Sequence, residues 1–419
     1  VRSIKAILAR VGLSRVIAGV VGLTLLVLAV LGWQLGDRTW LRLVLESPYQ
    51  GRCNVRMTRA VLDRSLELGT RFLLVHQRPA GNFDYEYDWH ERSYSPDDNE
   101  VRQAGALWGL TLLYQDRPSA ELGAAVEKSF AFFERHAVDA AGGARCFGYP
   151  GKASLGTGAV ALVALAYIEY LSTKGGALAP ELRAKHEVRL GGYLVQLLGS
   201  MNADGLWSGS YDPATCRAEG APSPYSDGEA LLALVKAAKY LGRSDLLPTA
   251  LRAAEAGHRH NVTEALAEHP DSDTTKGYYQ WSSMAFYELA TSGWPDTERF
   301  GKWVLELADW QIDVHRTLMR QRNTAYVYEG LIPAYELARR RGDAFRAAKY
   351  ACVIDLGLER LTSWQVGGPL ATGFTGAVAP DHRAAIGGVQ NEKRHPGLRI
   401  DVVQHQMHAV LFARQLVYR

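Results

Sequence analysis

The sequence predicts an all-α protein: a single (α/α)6 toroid of six helical hairpins, preceded by an N-terminal transmembrane helix. Three observations lead there. An uninterrupted apolar run from Ile17 to Trp33 follows the basic residues Arg2, Lys5, Arg10 and Arg15. Behind it, segment after segment carries apolar residues at three- and four-residue spacing, such as Leu231, Leu234, Val235 and Ala238, or Leu331, Ala334, Tyr335 and Ala338. That is the stripe of a helix buried on one face. Alternating β-branched runs are scarce, so a sheet-based domain is not expected.

In order, residues 1–15 read as a basic cytoplasmic N-terminus, 16–35 as the anchor, 36–54 as a connector and 55–419 as the toroid. The 17 residues of the apolar run, at about 1.5 Å each, are near the lower limit for a hydrocarbon core of roughly 30 Å. The basic flank favours a single pass with its N-terminus in the cytoplasm. No small-residue cleavage site closes the run, which argues against a removed export signal. This reading makes the lipid bilayer a partner and places the toroid in the periplasm of a bacterial inner membrane. Helices are then expected at 58–76, 100–115, 119–136, 154–172, 180–199, 226–241, 245–258, 278–292, 297–314, 324–341, 343–363 and 399–416. No Pro/Gly/Ser linker divides them, so they can bury their stripes by pairing into hairpins and closing into a ring. Even-numbered helices then line the inside, and the loops before them open on one face.

The net charge of +3 is spread without a basic stripe, which excludes a nucleic-acid partner. The four cysteines, Cys53, Cys146, Cys216 and Cys352, form no CxxC pair. One or two disulfides in an oxidising compartment or a zinc site remain open from spacing, and neither metal nor cofactor is expected. Unusual residues collect in the loops before even helices. One loop runs from Arg78 through Tyr85, Tyr87 and Asp98 to Arg102, another from Asn202 through Trp207 and Tyr211 to Tyr225 and Glu229. Both set a glycine before an aromatic, acidic stretch, as two copies of one structural solution would.

The Ala-Gly-Ala-Leu-Trp-Gly-Leu at 104–110, Gly-Glu-Ala-Leu-Leu-Ala-Leu at 228–234 and Tyr-Glu-Gly-Leu-Ile-Pro-Ala-Tyr-Glu-Leu-Ala at 328–338 sit in this hairpin pattern. Over roughly 55–419 the chain resembles the (α/α)6 toroids of carbohydrate-active enzymes. That group includes glycoside hydrolases, polysaccharide lyases, sugar 2-epimerases and the helical domain of glucuronyl C5-epimerases. The motifs are architectural and imply a polysaccharide or oligosaccharide substrate without selecting one activity. No Asp-rich diphosphate motif or QW repeat points to the terpene enzymes that share the ring.

Within that frame the leading expectation is a glycoside hydrolase, anchored and exported. Asp227, at a helix N-terminus that holds its pKa down, would be base or nucleophile. Glu329, at the mouth of an apolar barrel, would have a raised pKa and donate the proton. Their separation, if they faced each other at about 5–10 Å, would indicate retention or inversion. Ser226 and Glu229 have capping-box spacing, a structural role. Asp98, Asp401 and His405 are further catalytic candidates, the last two sharing a helix face with His408. Tyr85, Tyr87, Trp207, Tyr211, Tyr225, Tyr279, Trp281, Tyr326 and Tyr328 offer faces on which pyranose rings stack. Arg102, Arg399 or Arg394 would clamp a carboxylate. A uronate C5-epimerase or lyase is the alternative enzyme. A glycan-binding scaffold for polysaccharide biosynthesis machinery is the non-enzymatic one.

Overall fold

The computed structural model describes Cys53, residues 57–173 and residues 178–419, all within the unit Arg52–Arg419. In chain order the principal helices are α1 (Arg59–Val75), α2 (Glu100–Asp116), α3 (Ala120–Arg135), α4 (Thr157–Ser172), α5 (Pro180–Gly199) and α6 (Pro224–Leu241). They continue with α7 (Leu247–His258), α8 (Asp273–Ala290), α9 (Phe300–Asp313), α10 (Ala325–Arg340), α11 (Ala344–Ser363) and α12 (Ile400–Leu416). A π turn, Arg259–Glu264, extends α7 into a last helical turn, Ala265–Glu268.

Even helices pack side by side in the order α2, α4, α6, α8, α10, α12, and α12 closes against α2. Odd helices form the outer layer, each against the inner helix before it, with α1 on α12. The chemistry of each layer follows. In the outer α3, Leu122, Val126, Phe130 and Phe133 are buried on one stripe, whereas α4 buries every residue from Thr157 to Leu171, as a helix walled on all sides must. A fully buried aliphatic side chain contributes about 1.5–3 kcal/mol, so the inner ring is the main source of stability. Arg414 joins Asp63 and Asp116, tying α12 to α1 and α2.

Helix starts differ from expectation where local chemistry intervenes. Ser272 caps α8 by accepting from Thr275 N, which begins that helix at 273 and not 278. Pro224 begins α6 two residues early, as proline at a first helical turn does. Among the described residues eight short strands also occur, all in connections that lead to even helices. β1 (Glu86–Asp88), β2 (Ser93–Tyr94) and β8 (Gly397–Arg399) form one sheet, β3 (Ala137–Asp139) and β4 (Arg145–Phe147) a second, and β5 (Leu155–Gly156), β6 (Ser208–Tyr211) and β7 (Ala218–Pro222) a third. The β1–β8 pairing, Glu86 opposite Arg399, joins the first loop of the ring to the last.

The anchor expected over 16–35 lies outside the described residues. Among the described residues no helix is long and apolar enough to cross a membrane. The most apolar, α4, has 16 residues, about 24 Å against a core of roughly 30 Å, and the longer α5 and α11 are striped with charge. The fold class is therefore corrected to the (α/α)6 toroid, with no membrane-crossing helix among the described residues. The lipid-bilayer partner, the membrane-anchored function and the inner-membrane, periplasmic placement are withdrawn with it.

Two disulfides resolve the cysteine question: Cys53–Cys352 and Cys146–Cys216. The second joins β4 to the turn between β6 and β7, clamping two loops of the open face. Replacing Cys146 and Cys216 with Ala is expected to cost about 4 kcal/mol, from loop-closure entropy over a separation of 70 residues. Urea unfolding would show a lowered midpoint and a steeper slope, because the unlinked unfolded chain exposes more surface. A loss below about 1 kcal/mol would mean that strand pairing alone holds these loops.

Candidate active site

The six inner helices present their N-termini to one face, and two adjoining cavities open there. One, about 200 Å³, is lined by Tyr225, Lys276, Gln280, Asn323, Tyr326, Asn391, Arg399, Asp401 and His405 among others. The second, about 190 Å³, is lined by Arg102, Tyr225, Glu229, Gln280, Trp281, Asp401, Gln404 and His405. Tyr225, Gln280, Asp401 and His405 belong to both. A larger groove, about 550 Å³, lies between α1, α2 and α3. Its Asp116 is ion-paired with Arg117 and Arg414, and no buried acid–base pair lines it.

Glu329, on α10, is fully buried. Its Oε1 lies 2.7 Å from His405 Nδ1, its Oε2 accepts from Gln280 Nε2 at 2.9 Å, and His408 Nδ1 is 3.3 Å from Oε2. Burial pushes this carboxyl up, but the charges and hydrogen bonds of His405 and His408 together outweigh it and hold the pKa below the usual value. The expected raised pKa is reversed for that reason. On His405 burial acts downward, while the Glu329 charge and hydrogen bond, with Asp401 behind them, raise it above the usual imidazole value. Donating Nδ1–H to Glu329 leaves Nε2 on the cavity side, where the side chain is 23% exposed.

Asp401 is locked. Arg399 forks onto it, Nε to Oδ1 at 3.0 Å and a terminal nitrogen to Oδ2 at 2.6 Å, and Arg102 Nε lies 3.2 Å from Oδ2. Burial raises its pKa, and the two arginines more than reverse that. The cluster keeps one surplus positive charge. Arg102 also lies over the Tyr85 ring, 5.3 Å from its centre.

Glu229 projects from α6 into the second cavity. It is 3% exposed, and desolvation alone pushes its pKa to about 8, with no hydrogen bond or charge offsetting it. It therefore stays protonated at neutral pH. Gly158 on α4 makes the room: a Cβ there would collide with Glu229 Oε2. Gly158→Ala is expected to displace this carboxyl, costing about 1–3 kcal/mol from overpacking and most of the turnover. Full turnover in a folded variant would show that the position of Glu229 is immaterial.

The expected site residues divide. Arg102, Tyr225, Trp281, Tyr326, Arg399, Asp401 and His405 line the cavities, with Glu329 directly behind His405. Asp227 does not line them. It accepts from Trp207 N at 2.7 Å and Asn261 Nδ2 at 2.8 Å, pinning a loop to the start of α6. Burial raises its pKa to about 6 against the lowering pull of those two bonds, so desolvation overrides the helix-terminus effect. Asp98 accepts from Tyr149 and Gln103. Trp207, Tyr211, Tyr279 and Tyr328 are in the core, the first three donating to carbonyls of Leu197, Phe147 and Val327. Tyr85 is buried beneath Arg102, and Tyr87 bonds His382. Glu229 was hidden by its capping-box spacing. Pro224 was the signal against that role, because a helix starting there puts Glu229 at its sixth position, beyond reach of the cap. Among the described residues no cluster of three or more His, Cys, Asp or Glu is placed to hold a metal ion.

The fold is that of an (α/α)6 toroid, and it is shared with solved structures of several sugar-acting enzymes. No protein-family model matches the sequence, and no curated protein does. Among solved structures, a sugar epimerase from a ruminal bacterium superposes with a TM-score of 0.60 at 11% identity, over 85% of this chain and 99% of that one. A cellobiose 2-epimerase from Spirochaeta thermophila gives 0.57 at 15%, over 85% and 96%. An unsaturated glucuronyl hydrolase specific for heparin gives 0.55 at 11%, over 84% and 97%. At these identities the likeness is one of fold, and it points to no single family.

Proposed function

We propose that this protein is a carbohydrate-active enzyme that moves protons at a sugar carbon, in the manner of an epimerase. One observation carries the reading: His405 and Glu229 line the same cavity from α12 and α6, which are opposite each other in the ring order of six inner helices. A neutral His405, steadied by Glu329, takes the proton from a carbon next to a carbonyl or carboxylate. The C–H electron pair moves into that group as an enol or enolate, and the positive charge of Arg102 and Arg399 favours it. Glu229 returns its own proton to the same carbon from the opposite side, which inverts the centre. A proton passing from His405 to Glu229 through solvent restores the starting state.

Retaining hydrolysis is less well supported, because it needs a free carboxylate nucleophile. Asp401 is held by two arginines and Glu329 by two histidines. Inverting hydrolysis is the second reading, since the protonated Glu229 suits a leaving-group acid and His405 could activate water. Proton NMR in D2O, with the full-length protein and a panel of neutral and uronate-containing oligosaccharides, tests this. Deuterium entering at C2 or C5 is the expected result. New reducing ends without exchange would replace it with hydrolysis, and silence across the panel would leave a glycan-binding protein.

A further inference from the structure

A third cavity on the same face, about 220 Å³, is formed by the connection between α11 and α12 and lined by Ser363, Trp364, Thr372, Phe374, Lys393 and Arg394 among others. The connection is held firmly. Gln365 Nε2 donates to Ser65 O and Gly387 O, and Thr375 Oγ1 to Ser363 O. Basic residues around it have acidic partners: Arg322 has Glu392, Arg399 has Asp401 and Arg320 has Asp271. Lys393 and Arg394 have none among the described residues. Arg394 also holds φ of +65°, a left-handed conformation that non-glycine residues adopt at a cost and that recurs where function needs it. Two uncompensated cations beside the half-buried Phe374 ring and the exposed Thr372 hydroxyl can bind an anionic sugar unit: charge meets its acid group, and the ring packs on its C–H face.

This cavity adjoins the central ones at the chain segment Gln390–Asn391. Gln390 lines the outer cavity and the next residue, Asn391, the central one. Asn323 braces this segment, its N donating to Asn391 O at 2.7 Å and its Nδ2 to Gln390 O at 3.2 Å. Across the three cavities the basic residues are Arg102, Lys276, Arg399, Lys393 and Arg394, while Asp401 is the one acid there that ionises readily.

We infer that the substrate is an anionic oligosaccharide, with its reacting unit at His405 and Glu229 and a neighbouring acidic unit in a subsite formed by Lys393 and Arg394. The reacting position rests on the reading above; the subsite is tested by binding alone. Calorimetry with the protein would use a hexauronate, the uronate monomer, a neutral hexaose and a sulfated neutral hexaose. Hexauronate should bind at least tenfold more tightly than the monomer or the neutral hexaose, with affinity falling as salt rises. Lys393→Gln combined with Arg394→Gly, a glycine that suits the left-handed backbone, should remove that tenfold and leave monomer affinity unchanged. Circular dichroism melting confirms folding, and the single variant Lys393→Gln should give an intermediate loss. Sulfated hexaose binding as hexauronate does would support a subsite for sugar acids generally, and weaker binding one for carboxylates. Unaltered hexauronate affinity in the double variant, or neutral hexaose binding equally well, overturns the subsite. His405→Gln should retain hexauronate affinity, so loss of turnover there with binding intact separates the two proposals.

Discussion

Glu229→Gln is expected to lower kcat by about 10²–10⁴, the usual contribution of a positioned acid, while making the protein more stable in alkali. The wild-type carboxyl has a pKa of about 8 in the fold against an ordinary 4.5. The folded state therefore binds more protons than the unfolded one between those values, and stability falls as pH rises through that window. Up to about 3–4 kcal/mol is lost by pH 9, less where the cavity admits water. Glutamine carries no charge and escapes this loss. Its unpaired amide makes the variant about 1 kcal/mol less stable at pH 5, so the two stability curves cross. Urea midpoints from pH 5 to 9 check the crossing. Parallel curves would mean that Glu229 is ionised in the fold and is not the acid.

Glu329→Gln should reduce kcat by a similar factor of about 10²–10⁴ without filling or emptying the cavity. It removes the charge that raises His405, so the acidic limb of the pH–rate profile should move to lower pH as its maximum drops. In the wild type that limb lies above 6.5, because His405 must lose its proton to act as base. The alkaline limb falls near 8, as Glu229 loses its own. Stability changes with a definite sign as well. The lowered Glu329 contributes stability that is lost as pH falls through its folded pKa, and the raised His405 contributes stability that is lost as pH rises through its own. The pair is strongest between the two, near pH 6, where breaking it should cost about 3 kcal/mol. An acidic limb unmoved in the variant would separate Glu329 from the titration and leave it a packing role.

Much of the ring was legible in the chain. The spacing of Leu122, Val126, Phe130 and Phe133, or the continuous apolarity of 159–168, depends on near neighbours alone, and twelve helices lie where such patterns place them. His405 and Asp401 were legible as residues of one helix face. What Asp227 and Glu229 do was not, although they are two residues apart on α6. One turns toward Trp207 and Asn261 and the other toward a space left by Gly158. Short-range rules assigned Asp227 the chemistry and Glu229 the cap. Pro224 shifted the helix start, burial reversed the electrostatics expected of Asp227, and the charges of His405 and His408 reversed those expected of Glu329.

The sequence by itself determined the helical hairpins, the face on which their polar loops gather and the residue types available there, because periodicity and turn chemistry are local. Only the tertiary structure decided which carboxyl is an acid, which is a structural acceptor and which steadies a histidine. A pKa depends on desolvation and on charges brought within a few ångströms from distant parts of the chain. Glu329 and His405 are 76 positions apart, yet their atoms are 2.7 Å apart, and closing the ring is what brings them together.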